Sequence, residues 1–320
     1  GTTLNIAGGK FTMVTGGSAC EPYVNTTSGS IYPWNIVGDT HIQVTKDIDT
    51  IGTVIGSNFL DGNNPTHTGD SYISIHSSNV AGSIIGSGTH VTWNRTYYGI
   101  TVPTNGRITH NGNTNIFIYT NLPLAQDTDV YDRSLTEVSE GLISSICARA
   151  VIGGTHSSYD TQTSIINGNT NVTFDFADFQ TPGSITVKSA VAGHWGAATQ
   201  QQTGDSNMTF RNVLKGASFS GVVYSAGHYI CSTNQQRIRD LGETGNFERV
   251  NQTQTGDGNF VVTDSHGVRF GGIVVGGHSV RGDHHQTQTA GTQTRLGNTL
   301  LTVSDSDTTG FGNTVSAGHY

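Results

Sequence analysis

The chain has 320 residues, of which only 12% are charged, and a net charge of −8 at neutral pH. It carries no basic patch, which argues against nucleic acid as a partner, and no apolar run reaches the ~18 residues of a membrane-spanning helix. Short regular apolar clusters argue against disorder. With 43 Gly and 6 Pro, the surface must consist mainly of hydroxyl and amide groups, which favours an extracellular β-structure.

One sequence unit recurs from end to end. Gly followed by Asp, Asn or Thr, and then usually by Thr or Ser, appears at intervals of 31 to 56 residues, at Gly1, Gly38, Gly69, Gly112, Gly168, Gly204, Gly256 and Gly297. From the second unit onward, apolar residues stand four and six positions after this Gly, as Ile42 and Val44 do after Gly38. This period of two predicts a strand with one face against a core. In the first unit, GTTLNI, the pattern is one residue short.

Each unit closes with a second β-branched run and a Gly-rich corner, as in GGIVVGGHS from Gly271. Gly supplies positive φ at such corners, and a neighbouring Asp or Asn is expected to bond its own backbone in an Asx-type turn. Stacked units of this kind predict an all-β fold, a parallel β-solenoid (β-helix) of about eight irregular repeats with one or two coils per unit. An eight-bladed β-propeller is the alternative, less favoured because only two clear strands appear per unit and unit length varies.

We interpret residues 1–320 as a single repeat-built domain with insertions at about 96–110, 122–150 and 232–252. The second insertion contains the capping-box pattern Ser134–Glu137 and apolar residues at helical spacing, which predict a helix. The three cysteines, Cys20, Cys147 and Cys231, permit at most one disulfide, and we expect them to be buried and unpaired. The chain lacks an initial Met and a signal-peptide pattern, so we interpret it as a processed form or part of a longer assembly.

Two residue types recur at fixed places in the units. The third residue after the Gly is Asn in four consecutive units (Asn115, Asn171, Asn207 and Asn259), which predicts an amide ladder along the stack. A histidine follows the closing Gly motif at His90, His156, His194, His228, His278 and His319. We expect packed or hydrogen-bonded corner residues here; the alternative is a transition-metal ladder, with His194, His228, His278 and His319 as its weak candidates.

Chemistry is less evident than architecture. The pairs Asp127/Asp129, Asp175/Asp178 and Asp305/Asp307 are local, and solvated surface explains them more simply than glycoside hydrolysis. No nucleophile elbow, phosphate loop or dinucleotide fingerprint occurs. We therefore predict no catalytic residue, no cofactor and no metal.

The repeated GDT…IVGGH pattern resembles the Gly-rich, autotransporter-like repeat proteins of bacterial surfaces over nearly the whole length. This resemblance implies a secreted or surface-displayed structural protein: a filament, a sheath or an adhesin stalk. The expected partners are identical subunits or further repeats stacked end to end, with surface glycans as a further possibility. The alternative function is a carbohydrate-active or glycan-binding β-helix, a lyase, hydrolase or tailspike-like protein, which would need three or more acids or aromatics stacked at one coil position. The repeat alignment shows no such stack.

Overall fold

In the computed structural model of the chain, every described element is a β-strand. The described residues are 1–17, 23–25, 27, 30–32, 35–44, 48–60, 64–76, 80, 82–90, 96–97, 100–101, 106–119, 147–157, 163–175, 185–196, 199–212, 217–230, 251–277, 279–281, 293–307 and 309–318. Parallel strands stack into long sheets, with no helix among these residues. The fold is the predicted parallel β-solenoid.

Four parallel sheets, named I to IV in the order in which the chain visits them, make up the solenoid. Sheet I has eight strands: β1 (Thr2–Ile6), β6 (Thr40–Val44), β10 (Ser71–His76), β16 (Thr114–Tyr119), β20 (Thr170–Asp175), β24 (Ser206–Arg211), β29 (Gly258–Thr263) and β34 (Thr299–Ser304). Sheet II has eleven: β2 (Gly9–Thr15), β7 (Ile48–Ile55), β11 (Ser83–Ile85), β17 (Cys147–Ile152), β21 (Ile185–Val191), β25 (Ala217–Phe219), β26 (Val223–Tyr224), β30 (Arg269–Phe270), β31 (Val274–Val275), β35 (Gly310–Phe311) and β36 (Val315–Ser316).

Sheets III and IV complete each coil. Sheet III has six strands: β8 (Phe59–Leu60), β12 (Thr89–His90), β18 (His156–Ser157), β22 (Trp195–Gly196), β27 (His228–Ile230) and β32 (Ser279–Arg281). Sheet IV has seven: β5 (Ile36–Val37), β9 (Thr66–Thr68), β15 (Arg107–Asn111), β19 (Thr163–Asn167), β23 (Thr199–Thr203), β28 (Gln252–Thr255) and β33 (Gln293–Leu296). Two antiparallel hairpins stand apart from the stack: β3 (Tyr23–Asn25) with β4 (Ser30–Tyr32), and β13 (Thr96–Tyr97) with β14 (Ile100–Thr101).

Each sequence unit forms one coil, because successive units contribute successive strands to sheet I. The chain passes through sheets I, II, III and IV and then enters sheet I again one strand further along. The short first unit fits this register, since Thr2 pairs with Thr40 and Leu4 with Ile42. Gly1 is therefore aligned with the Asp of the Gly-Asp corner rather than with its Gly.

The apolar core lies between sheets I and II, and the apolar positions predicted from the period of two point into it. Ile73, Ile75, Ile116 and Ile118 are all fully buried. Farther along, the stack becomes aromatic: the rings of Phe174 and Phe210 lie parallel with centroids 5.0 Å apart. Burial of one such side chain stabilises the fold by about 1.5–3 kcal/mol, so the core columns supply much of the coil-to-coil attraction.

The predicted insertions are narrower than the sequence indicated. Arg107–His110, Cys147–Ala150 and Gln252 fall in strands β15, β17 and β28 of the sheets. The predicted helix within 122–146 and the loop at 232–250 lie outside the described residues, as do Cys20 and Cys231. Cys147 begins strand β17.

Candidate functional site: the ladders along the solenoid

The corner between sheets IV and I is built from glycine because two coils meet there at close range. Gly112 and Gly256 have φ values of +153° and +141°, a region that favours glycine. A Cβ on Gly112 would lie 2.2 Å from the carbonyl oxygen of Gly69, and one on Gly256 would lie 2.3 Å from that of Gly204. Each corner glycine therefore fits against the glycine of the preceding coil.

The residue after this glycine forms a ladder between coils. Its side-chain Oδ1 accepts the backbone N–H of the equivalent residue one coil further on, at 2.7–2.9 Å. This Asx ladder runs without a break through Asp39, Asp70, Asn113, Asn169, Asp205, Asp257 and Asn298. The predicted Asx-type turn, in which this oxygen accepts from its own local backbone, is wrong. Oδ1 accepts the backbone N–H of the next coil instead, because stacking brings that N–H within hydrogen-bond distance.

The expectation that no coil position stacks three acids or aromatics is wrong for the aromatics, because Phe219, Phe270 and Phe311 are register partners in the core of sheet II. Acids share one position of the Asx ladder, but Asn113 and Asn169 divide them into two pairs. Four of the ladder's seven members are Asp, and Asp39 and Asp70 occupy adjacent coils, as do Asp205 and Asp257. Each of these four accepts a backbone N–H from the next coil through Oδ1. One oxygen of every carboxylate is thus engaged in holding coils together.

The predicted amide ladder is confirmed. Nδ2 of Asn171 donates to Oδ1 of Asn115 at 2.9 Å, and the bonds from Asn207 to Asn171 and from Asn259 to Asn207 are each 2.8 Å long. Asn115 ends the ladder by donating to the carbonyl of Ser71 at 3.3 Å. These half-buried side chains lie on the outer face of sheet I, so the ladder reinforces the sheet from outside.

A row of hydroxyls crosses the interior between two corners. The first residue of most sheet I strands is Thr or Ser, and in the first four of these strands its Oγ donates to a glycine carbonyl at the corner between sheets II and III. Thr40 reaches the carbonyl of Gly56 at 2.6 Å and Thr114 that of Gly153 at 2.5 Å. These bonds close the first four coils on themselves, which accounts for the Thr or Ser of the repeated unit there, whereas Thr170 donates to Oγ of Ser206 in the next coil at 3.1 Å.

The interior side of sheet IV is largely polar. Gln252 donates to Oε1 of Gln200 at 2.6 Å, and Gln254 donates to Oγ of Ser206 at 2.8 Å. In the last described coil, Arg295 points into the same column and donates to Oε1 of Gln254 at 3.2 Å. Gly258 makes room for it, since a Cβ there would lie 2.2 Å from the guanidinium. Sequence reasoning missed this column.

Two histidines of sheet IV touch inside the solenoid. His67 and His110 are register partners in neighbouring coils, 1% and 0% exposed, with ring centroids 4.5 Å apart and planes at 78°. Nε2 of His67 donates to the Gly38 carbonyl at 3.0 Å, and Nδ1 of His110 lies 3.1 Å from Oγ of Ser87. The other nitrogen of each ring is buried without a hydrogen-bond partner. Burial lowers the pKa of both, that of His110 to about 3 with a further contribution from His67.

The corner histidines do not form one column. His156 and His228 each pair with Trp195, whereas His90 pairs with Ser157, one position later. His194 immediately precedes Trp195 and so occupies a third register. This scatter removes the alignment on which a metal ladder would depend.

His194 fits the structural interpretation. Its Nδ1 accepts from the Thr155 backbone N–H at 3.4 Å and lies 2.7 Å from Thr155 Oγ1, while Nε2 donates to the Gln201 carbonyl at 3.0 Å. Burial lowers the pKa of His194 to about 4, and that of His156 to about 4 as well. His228 stands at the start of strand β27, and His278 and His319 lie outside the described residues.

The paired carboxylates are engaged separately. Asp175 forms an ion pair with Nε of Arg211 at 2.6 Å and accepts from Asn212 at 3.0 Å. Asp307 contacts Nδ1 of His266, and both side chains are exposed. Asp127, Asp129 and Asp178 lie outside the described residues.

At both edges of the stack, core positions remain partly open. Leu4 and Phe11 in the first coil are 39% and 36% exposed, and Val303 and Val315 in the last described coil are each 41% exposed. Their register partners Ile42, Ile51, Val262 and Val274 are almost completely buried. A further coil on either edge would bury these side chains in the same way.

Within the described ranges, no group of three or more His, Cys, Asp or Glu side chains is placed to hold a metal ion. The same part of the chain contains no helix that is long and apolar enough to cross a membrane. Comparison of the chain with protein-family models, with curated proteins and with solved structures gives no match.

Proposed function

We propose that this chain is an extracellular structural protein whose stacked β-solenoid coils form, or contribute to, a surface filament, sheath or adhesin stalk. The observation that carries the proposal is the unbroken Asx ladder, which joins seven successive coils by bonds parallel to the stack. Strand pairing and the amide ladder act along the same axis. Most specific side-chain bonds among the described residues therefore resist separation of coils, as a load-resisting shaft requires.

The proposed partner is a further coil of the same kind, from an identical subunit or from additional repeats. Open strand edges template further parallel pairing, and one apolar column of sheet I runs from Leu4 at one edge to Leu301 at the other. The outer surface supports an extracellular setting, because it relies on Asn and Thr rather than on charge.

Electron microscopy and sedimentation velocity of the purified chain test the version with identical subunits. We expect fibres whose length grows with protein concentration. Leu4→Lys places a charge in the apolar column at the edge and should abolish the fibres. Thr3→Lys, on the neighbouring outward position of the same strand, is the matched control and should retain them. Monodisperse particles at every concentration would contradict assembly from identical subunits.

A further inference from the structure

We infer that the contact between His67 and His110 is an acid-sensitive weak point, at which protonation opens the surrounding coils of the solenoid while coils without a buried histidine stay closed. The inference concerns regulation of the shaft but does not depend on its assembly. It rests on the placement of two basic side chains in one buried column of sheet IV, with touching rings.

The surroundings favour the neutral forms of these rings. Along the column, the neighbours of the pair are Ile36 and Ile166, whose side chains cannot accept a hydrogen bond from a protonated ring. His67 Nδ1 and His110 Nε2 have no partner to which an added proton could be donated. Protonation of both rings would also place two like charges against one another at a centroid distance of 4.5 Å.

Several charged or polar groups near the pair act on the pKa values of the two rings. Asp39 and Asp70, at the adjacent Gly-Asp corners, favour the charged form of His67, and the Gly1 amino group opposes it. Asp70 and the backbone carbonyls of Asn113 and Gly69 favour the charged form of His110. Asp70 is already engaged: burial acts to raise its pKa, but hydrogen bonds from Asn113 and Tyr72 outweigh this and hold the pKa below its ordinary value. From the opposite corner, only the neutral hydroxyl of Ser87 reaches His110. Burial prevails, since the pKa of both rings is lowered.

The direction of the pH effect follows from linkage. An opened coil exposes rings of ordinary pKa 6.5, which bind protons below that pH, whereas the closed coil does not. With a closed-state pKa of about 3, His110 alone raises the opening equilibrium constant about 25-fold between pH 7 and pH 5. His67 adds to this factor.

Native-state hydrogen exchange at pH 7 and pH 5, corrected for the intrinsic pH dependence of exchange, measures this opening. We expect strands β9, β10, β15 and β16 to lose at least about 25-fold in protection, and β28 and β29 to lose far less. The double variant His67→Ile/His110→Ile carries the residue type found beside the pair in the same column, so it should fold and lose the acid response. Thr66→Ile/Thr109→Ile changes outward positions of the same strands and should keep the response.

Two results would overturn the inference: an equal loss of protection in all coils, or an undiminished acid response in the double Ile variant. If that variant does not fold, an NMR titration of the wild-type histidine rings still decides. His110 should remain neutral to below pH 5 in the folded protein, and a folded-state pKa near 6.5 would refute the weak point. Neither measurement uses fibre formation, so failure of assembly leaves the test intact.

Discussion

Sheets I and IV meet at the same glycine corner, yet their interior faces are built from opposite chemistry. Sheet I points Ile, Val, Met and Phe inward, whereas sheet IV points His67, His110, Gln202 and Gln254 inward, all almost completely buried. Buried polar groups are costly unless they are hydrogen-bonded. Hydrogen bonds meet this condition for the glutamines. Gln202 and Gln254 donate to the sheet I hydroxyls of Thr170 and Ser206 in their own coils. Gln252 donates to Gln200 of the preceding coil. The interior of the coil can therefore be polar where each coil supplies such a partner.

The first prediction is that acid destabilises the polar side of the coil, formed by sheets III and IV, more than the apolar side, formed by sheets I and II. The histidines with a lowered pKa among the described residues (His67, His110, His156 and His194) all lie on the side of sheets III and IV or at their corners. Because the folded pKa lies below the unfolded one, their contribution to stability is complete above pH 6.5 and is lost as pH falls. Asp70 acts in the same direction at lower pH.

We expect urea unfolding to show this loss directly. His110, His156 and His194, with folded pKa values of about 3, 4 and 4, should together remove about 3.5 kcal/mol per pH unit between pH 6 and pH 4.5. His67 acts in the same direction. His194→Gln should reduce the slope by about a quarter to a third. A free energy of unfolding that stays constant from pH 7 to pH 5 would show that protonation of these buried histidines does not destabilise the fold.

The second prediction concerns the contribution of the apolar core between sheets I and II to the free energy of unfolding. Phe210→Ala removes a fully buried ring that stacks on Phe174 and contacts Phe219, Phe260 and Phe270. Truncation of this kind costs about 3–5 kcal/mol in the free energy of unfolding. Thr209→Ala, next in sequence on the outer face of the same strand, should change it by less than about 0.5 kcal/mol. Equal effects of the two substitutions would mean that sheet I does not carry the core.

The third prediction concerns the polar interior of sheet IV and tests a substitution that removes hydrogen bonds but keeps side-chain volume. Gln254→Leu keeps much of the side-chain bulk but removes the bond that Gln254 donates to Ser206 and the one that it accepts from Nη1 of Arg295. Ser206 keeps the bond from Thr170, and Arg295 keeps its bond to the Asn298 carbonyl. We expect a loss of about 1–3 kcal/mol from the two lost bonds, measured by urea unfolding at pH 7. If Gln254→Leu is stabilising by itself, the polar column is not sustained by hydrogen bonding.

The same contrast explains which parts of the fold were accessible from sequence. Sheet I was predicted residue by residue, because its apolar positions keep a fixed distance from each corner glycine. Sheets III and IV were missed, since their inward residues change type from coil to coil and give no hydrophobic period. A signal existed, however: the residue two positions before each glycine, from Ile36 to Arg295, is the inward column of sheet IV.

The ladders also differ in whether they could be predicted from the sequence. The amide ladder could be predicted because one residue type, Asn, stands at one position in four consecutive units. The Asx ladder mixes Asp with Asn, and its acceptor is a backbone N–H in another coil, which no local turn pattern reveals. The contact between His67 and His110 depends on which strands become neighbours, so only the fold could bring it to light.

The smallest effect is expected on the outside, where side chains are half-exposed. Asn171→Ala removes the bond that this residue donates to Asn115 and the one that it accepts from Asn207. Each such bond contributes about 0.5–1.5 kcal/mol when buried, and water compensates part of the loss here, so we expect about 1 kcal/mol by urea unfolding. Thr173→Ala, the next outward position of strand β20, is the matched control and should have almost no effect. If the two substitutions prove equivalent, the amide ladder follows from the stacking without stabilising it, and the interior columns alone hold the coils together.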